Sequence, residues 1–169
     1  STGERRGEPL VAESPASAEE LIELAGEYED EGCIAEASDL YRAAMAADGP
    51  RPELCFQLAE LLYRMGELDA ARERYFMAIE LDEDYVEARA NLGCILAEQG
   101  RFELARSAFE GALHSHPDFP DVHYHLARLH DDQGRPKDAR RHWFEFLRLA
   151  PDSPWADTAR ARLELPESS

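Results

Sequence analysis

The groups in this sequence that could do chemistry are six histidines, three cysteines and 36 carboxylates. Five of the histidines (His114, His116, His123, His125 and His130) fall close together, and His142 follows. Imidazole is a common zinc ligand, so a metal centre is the first chemistry to weigh. The spacing argues against it. No pair stands at i, i+4, and on a helix His123 and His125 point about 200° apart. His123 and His130 share a face, but at i, i+7 they lie about 10 Å apart along the axis. Packing or polar surface is the expected role, with pH sensitivity as the remaining chemistry of the cluster. The cysteines, Cys33, Cys55 and Cys94, are odd in number and match no metal or redox spacing. They read as small apolar packing residues in a reducing compartment. Carboxylate pairs are no more frequent than the composition dictates. No phosphate-cradling loop, nucleophile elbow or HExxH sequence is present. Neither a catalytic residue nor a cofactor is expected.

The charge balance narrows the function classes further. With 18 basic against 36 acidic residues, the formal charge is −18 and the pI is near 4.6. Such a surface repels phosphate backbones and anionic headgroups. That argues against direct nucleic-acid binding and membrane association; the acidity either favours a basic protein partner or simply keeps the protein soluble. No stretch approaches the roughly 18 apolar residues of a membrane span. Residues 1–16 lack the apolar centre of a signal peptide, and a cytoplasmic location is expected. The 44% apolar content can fill a core. Ala, Leu, Glu and Arg abound while Thr, Val and Ile are scarce, a balance that favours helix over sheet.

The elements that must position these residues are repeated. Gly32, Gly66, Gly100 and Gly134 are 34 residues apart. Ala37, Ala71, Ala105 and Ala139 keep the same step, as do Leu24, Leu58, Leu92 and Leu126. So do the aromatics Tyr41, Tyr75, Phe109 and Trp143, and the small residues Ala25, Ala59, Gly93 and Ala127. Each column has a physical reason. The Gly column suits a sharp turn between two helices, where a left-handed residue carries no Cβ penalty. The small residues let paired helices approach, and larger ones would overpack the contact. The Leu and aromatic columns supply buried knobs.

Cap signals set the boundaries. Ser17 to Glu20 reads as a capping box, and Pro52, Pro120 and Pro136 sit at expected first helical turns. Helices are predicted over 18–31, 34–47, 52–65, 68–81, 86–99, 102–115, 120–133 and 136–149. A further helix over 154–164 carries Trp155, Ala159 and Leu163 on one face. It would cover the apolar end of the array. The organisation expected is a flexible segment 1–16, then four repeats within 17–153 (18–51, 52–85, 86–119 and 120–153). A capping helix 154–165 and a tail 166–169 follow.

These columns resemble the tetratricopeptide repeat over residues 18–151. The third repeat carries the family pattern well, with Leu92-Gly93, Leu96, Gly100, Ala105, Phe109, Ala112 and Pro117. Departures are mild. The aromatic usual near the start of the first helix is replaced by Leu21, Cys55, Arg89 and His123, and the closing Pro is absent at Gly49 and Glu83. Phe146 replaces the small residue found at Ala44, Ala78 and Ala112. That fits an array ending at the fourth repeat.

The resemblance implies an all-α, right-handed superhelical solenoid of antiparallel helix hairpins. It also implies a concave groove lined by the first helix of each repeat. The matching lining positions are Glu23 in the first repeat and Phe56, Gln57, Glu60 and Tyr63 in the second. Asn91 and Glu98 follow in the third, then Tyr124, His125, Arg128 and Asp131 in the fourth. Aromatic anchors among charges suit a peptide groove. Either the groove recognises a basic segment, with Arg or Lys pairing to Glu60, Glu98 and Asp131, or it is an acidic solvated face. Family members that grip a chaperone tail use Lys, Asn and Arg on these helices. The matching positions here, Ile22, Gly26, Gln57, Glu87 and Asn91, supply no cation. In the frame that starts from repeat two they are Phe56, Glu60, Asn91, Asp121 and His125, so chaperone-tail binding is not expected. The expected function is a non-catalytic protein-interaction scaffold, monomeric or weakly dimeric. The alternative is a regulatory or oligomerisation module of a larger protein, bacterial transcription regulators among them. The segment Ala150 to Ala156 is similar to repeat modules of multidomain bacterial proteins.

Overall fold

The computed structural model describes residues 15–167. Of the lead-in expected over 1–16 and the tail expected over 166–169, residues 1–14 and 168–169 lie outside the described residues. Nine helices and no strand occur among those described: α1 (Ala18–Asp30), α2 (Ile34–Asp48), α3 (Pro52–Arg64), α4 (Leu68–Leu81), α5 (Val86–Glu98), α6 (Phe102–Ser115), α7 (Pro120–Asp132), α8 (Pro136–Leu149) and α9 (Ala156–Arg162).

Local chemistry explains where they start and stop. At α1 the Ser17 hydroxyl accepts the Glu20 amide at 3.2 Å, which satisfies one of the orphan donors of the first turn. Proline occupies the first turn of α3, α7 and α8, where its missing N–H leaves nothing unsatisfied. At the ends of α1, α3, α5 and α7 the chain reverses through Gly32, Gly66, Gly100 and Gly134, with φ between 72° and 80°. The residue after each glycine donates its N–H back to the last helical turn, as Cys33 does to Tyr28 and Arg101 does to Leu96, both at 2.8 Å. This six-to-one bond satisfies a carbonyl that the helix leaves open.

Each such turn closes an antiparallel hairpin: α1 with α2, α3 with α4, α5 with α6 and α7 with α8. Each hairpin packs on the next, and α9 packs on α8. The fold is an all-α helical repeat solenoid. Its hairpins close because two columns are small. Ala25, Ala59 and Ala127 are fully buried, and so are Ala37, Ala71, Ala105 and Ala139. The third repeat goes further. A Cβ on Gly93 would lie 2.5 Å from the Phe109 ring. Gly93→Ala is therefore expected to destabilise, because overpacking costs about 1–3 kcal/mol, against roughly 1 kcal/mol gained in helix propensity. Gly26, in α1, would meet nothing within 4 Å, so Gly26→Ala should stabilise. Urea unfolding of the two variants checks the opposite signs.

Two departures from the sequence reading come from the ends of the array. Leu58, Leu92 and Leu126 are buried, but Leu24 is 40% exposed. Its column packs against a preceding hairpin, and among the described residues α1 has none. At the other end the predicted helix over 154–164 is shorter, Ala156–Arg162. The Ser153 hydroxyl accepts the Trp155 N–H at 3.1 Å, which holds 153–155 in a turn and delays the helix. Ala159 and Leu163 are buried as expected, in a cluster with Phe146 and Trp143. Trp155 stays 40% exposed and lies flat on Tyr124, ring centroids 4.5 Å apart.

Candidate partner-binding groove

Because the first helices of successive hairpins stack, their outward residues form a run of three clefts. The first, about 470 Å³, lies between α1 and α3 and includes Glu23, Glu29, Tyr41 and Gln57. The second, about 200 Å³, lies between α3 and α5 and is lined by Glu60, Tyr63, Tyr75, Asn91, Cys94 and Ile95. The third, about 260 Å³, lies between α5 and α7 and includes Cys94, Glu98, Phe109, His125, Arg128 and Asp132.

Hydrogen bonds tie the walls together. Asn91 Nδ2 donates to Glu60 Oε1 at 3.0 Å and to the Tyr75 hydroxyl at 3.2 Å. The Tyr63 hydroxyl donates to Glu98, joining α3 to α5. That bond, with burial, pushes the Tyr63 hydroxyl up to about 12. Tyr41 donates to Glu29 at 2.5 Å, and burial first, then Glu29, raises its pKa. These phenols therefore act as neutral donors that orient anionic carboxylates. Burial pushes the Cys94 thiol, in the wall shared by two clefts, up to about 12. Cys94 is a thiol at neutral pH, and the reactive form of cysteine is the thiolate. His125 stacks on Phe109 with centroids 5.6 Å apart, and burial lowers its pKa. It sits in the groove as a neutral aromatic.

The eleven residues singled out in the sequence divide into two groups. Glu23, Gln57, Glu60, Tyr63, Asn91, Glu98, His125 and Arg128 line the clefts. Phe56, Tyr124 and Asp131 do not. Phe56 stacks on Tyr85 at 5.0 Å and meets the edge of Tyr75 at 5.7 Å. Tyr124 is buried among Trp143, Phe146 and Trp155. Asp131 accepts the Trp143 indole N–H at 2.9 Å and pairs with Arg162 at 3.0 Å. Arg128 lies over the Tyr124 ring at 5.8 Å. Cys94, Tyr75 and Asp132 also line clefts. Cys94 and Asp132 are first-helix positions of the lining that the repeat resemblance implies, whereas Tyr75 reaches its cleft from α4.

The histidines resolve differently. His123, His130 and His142 are buried together between α7 and α8. His123 Nε2 lies 2.8 Å from the Pro117 carbonyl, and its Nδ1 lies 3.0 Å from His142 Nδ1. The carbonyl can only accept, so His123 carries its proton on Nε2. With a neutral His123, His142 Nδ1–H is the donor to His123 Nδ1. The His130 ring stacks on His142 at 5.7 Å, nearly parallel. Burial pushes His142 down to about 4, and burial lowers His130 as well. Among the described residues no group of three or more His, Cys, Asp or Glu is arranged to hold a metal ion. None of the described helices is long and apolar enough to cross a membrane.

Comparison with known proteins places this architecture. A tetratricopeptide repeat profile matches residues 90–154, and a TPR repeat profile matches residues 59–100. The chain belongs to the tetratricopeptide repeat family, generally a non-enzymatic protein-interaction fold. No curated protein matches the sequence. Among solved structures, MamA is 21% identical, with 87% of this chain and 86% of that chain covered and a TM-score of 0.77. YrrB, a TPR protein with an unusual peptide-binding site, is 23% identical, with 85% and 74% covered and a TM-score of 0.76. A tetratricopeptide repeat protein from Parabacteroides merdae is 23% identical, with 87% and 59% covered and a TM-score of 0.79. At these identities the likeness is one of fold.

Proposed function

We propose that this chain is a non-catalytic scaffold that takes a basic segment of another protein in its acidic groove. One observation carries the reading: three clefts follow one another along α1, α3, α5 and α7, and apart from Arg128 the charged side chains that line them are acids. Carboxylates already oriented by Tyr63, Tyr41 and Asn91 are preorganised to receive Arg or Lys. Glu23, Glu60 and Glu98 are the pairing groups of this reading, with Tyr63 and His125 as ring surfaces. Asp131, engaged by Trp143 and Arg162, serves the end of the array instead. The peptide-binding site of YrrB lends a precedent from the same fold. The three cysteines form no disulfide among the described residues, which suits the cytoplasmic location we propose.

The test is affinity against salt. Binding of a fluorescein-labelled Lys- and Arg-rich peptide should weaken by about tenfold or more between 50 and 500 mM NaCl, as charge pairs are screened. Glu60→Gln with Glu98→Gln should flatten that slope. Salt-independent binding would count against the reading.

A further inference from the structure

The opposite side of the solenoid carries a cleft of different character. It opens between α4 and α6, with α5 as its floor, and has a volume of about 280 Å³. Leu92 and Leu96 form the buried floor, while Phe76 and Leu104 stand as walls, 50% and 55% exposed. Three arginines, Arg72, Arg89 and Arg101, border it, and none of its lining residues is acidic. In a chain where 36 of 169 residues are Asp or Glu, an acid-free apolar cleft ringed by arginine is a local reversal of the surface.

The other hairpin junctions lack this combination. One period away from Phe76 stand Arg42 and Glu110, and one period away from Leu104 stand Ala70 and Asp138. One period before Arg101 is Glu67. The repeat geometry therefore does not require the cleft. Two of its three cations are left without an internal carboxylate partner among the described residues; Arg72 alone has one. Arg72 donates to Gln99 at 2.6 Å and lies 3.4 Å from Asp69. Arg89 donates its Nε–H to the Glu83 carbonyl at 2.9 Å. Among the described residues neither Arg89 nor Arg101 has a carboxylate within ion-pair distance.

We propose that this cleft is a second docking surface, for an acidic amphipathic helix of a partner protein. A large apolar side chain of that helix inserts between Phe76 and Leu104, and flanking carboxylates pair with Arg89 and Arg101. Exposed apolar walls give the affinity, and the arginines fix sign and register. Charge complementarity selects this occupant. The basic segment proposed for the groove would be repelled here, so the two faces of one array distinguish partners of opposite charge.

The test is fluorescence anisotropy on the full chain with two labelled amphipathic peptides of about 14 residues. Both carry Leu and Phe at i, i+3, i+4 and i+7, one with Glu and one with Lys elsewhere. The Glu peptide is expected to bind, and Arg101→Glu or Leu104→Asp to weaken it by about tenfold or more. The same variants should leave the Lys peptide, which reports the groove, unchanged. Both substituted residues are exposed, and unchanged circular dichroism checks the fold. Failure of the Glu peptide to bind, or binding indifferent to both variants, would overturn the proposal. So would a dimer in sedimentation that the variants dissociate, since the occupant would then be a second copy.

Discussion

Trp143→Ala is expected to lower stability by about 3–5 kcal/mol, a large share of the 5–15 kcal/mol typical of a domain. Trp143 is 1% exposed, meets the Tyr124 ring edge-on at 5.4 Å and donates its indole N–H to Asp131. Truncation leaves a cavity between α7 and α8 and strips Asp131 of a donor. The stability of a solenoid is a sum of repeat and nearest-neighbour contributions. The loss therefore falls first on α7, α8 and α9. Hydrogen exchange should accelerate in those helices and stay unchanged in α1 to α4. Trp143→Phe keeps most of the ring and loses the hydrogen bond, so it should cost less than half as much. Equal losses for both variants would show that the hydrogen bond, not packing, holds the end of the array.

Acidification is the second large effect. His142 is held neutral in the fold, its pKa pushed down from 6.5 to about 4 by burial and then by His123, Arg141 and His130. Asp138, which acts the other way, does not offset them. The unfolded chain takes up the proton first, so the stability gained from a neutral His142 is present above pH 6.5. It is lost as pH falls through 6.5 towards 4. One group shifted this far costs about 2 kcal/mol between pH 7 and pH 5, and His125 and His130, lowered in the same direction by burial, add to it. Glu103 and Glu145, whose pKa values are lowered from 4.5 by hydrogen bonds to Arg106 and Arg148, lose their contribution only at lower pH. Urea midpoints at pH 7 and pH 5 isolate the histidines. His142→Leu should remove about 2 kcal/mol of the loss over that interval, leaving the part due to His125 and His130, and an unchanged slope would show that His142 is protonated in the fold.

What the sequence disclosed, and what it did not, follows from how far each interaction reaches. Helix starts and reversals were legible because their causes are local. Ser17, the first-turn prolines and the left-handed glycines act within a turn of where they stand. The small column was legible because it repeats, and the clash that Gly93 avoids repeats the logic of Ala25 and Ala59. The ends of the array broke the pattern. Leu24 belongs to a buried column but faces no hairpin among the described residues. Tyr124 and Asp131 hold groove positions in the repeat, yet Trp155, Trp143 and Arg162 claim them for the terminal packing. The histidine cluster was invisible to helical spacing because His142 arrives from α8 to bridge His123 and His130. The arginine-rimmed cleft draws on three helices, so no single column announces it.

The most direct test of the groove is a nitrogen-15 heteronuclear titration of the full chain with the basic peptide. The largest amide shifts are predicted along α1, α3, α5 and α7, at Glu23, Gln57, Glu60, Asn91 and Glu98 in particular. Shifts confined to α2, α4 and α6, or none at saturating peptide, would contradict a scaffold that binds through its acidic face.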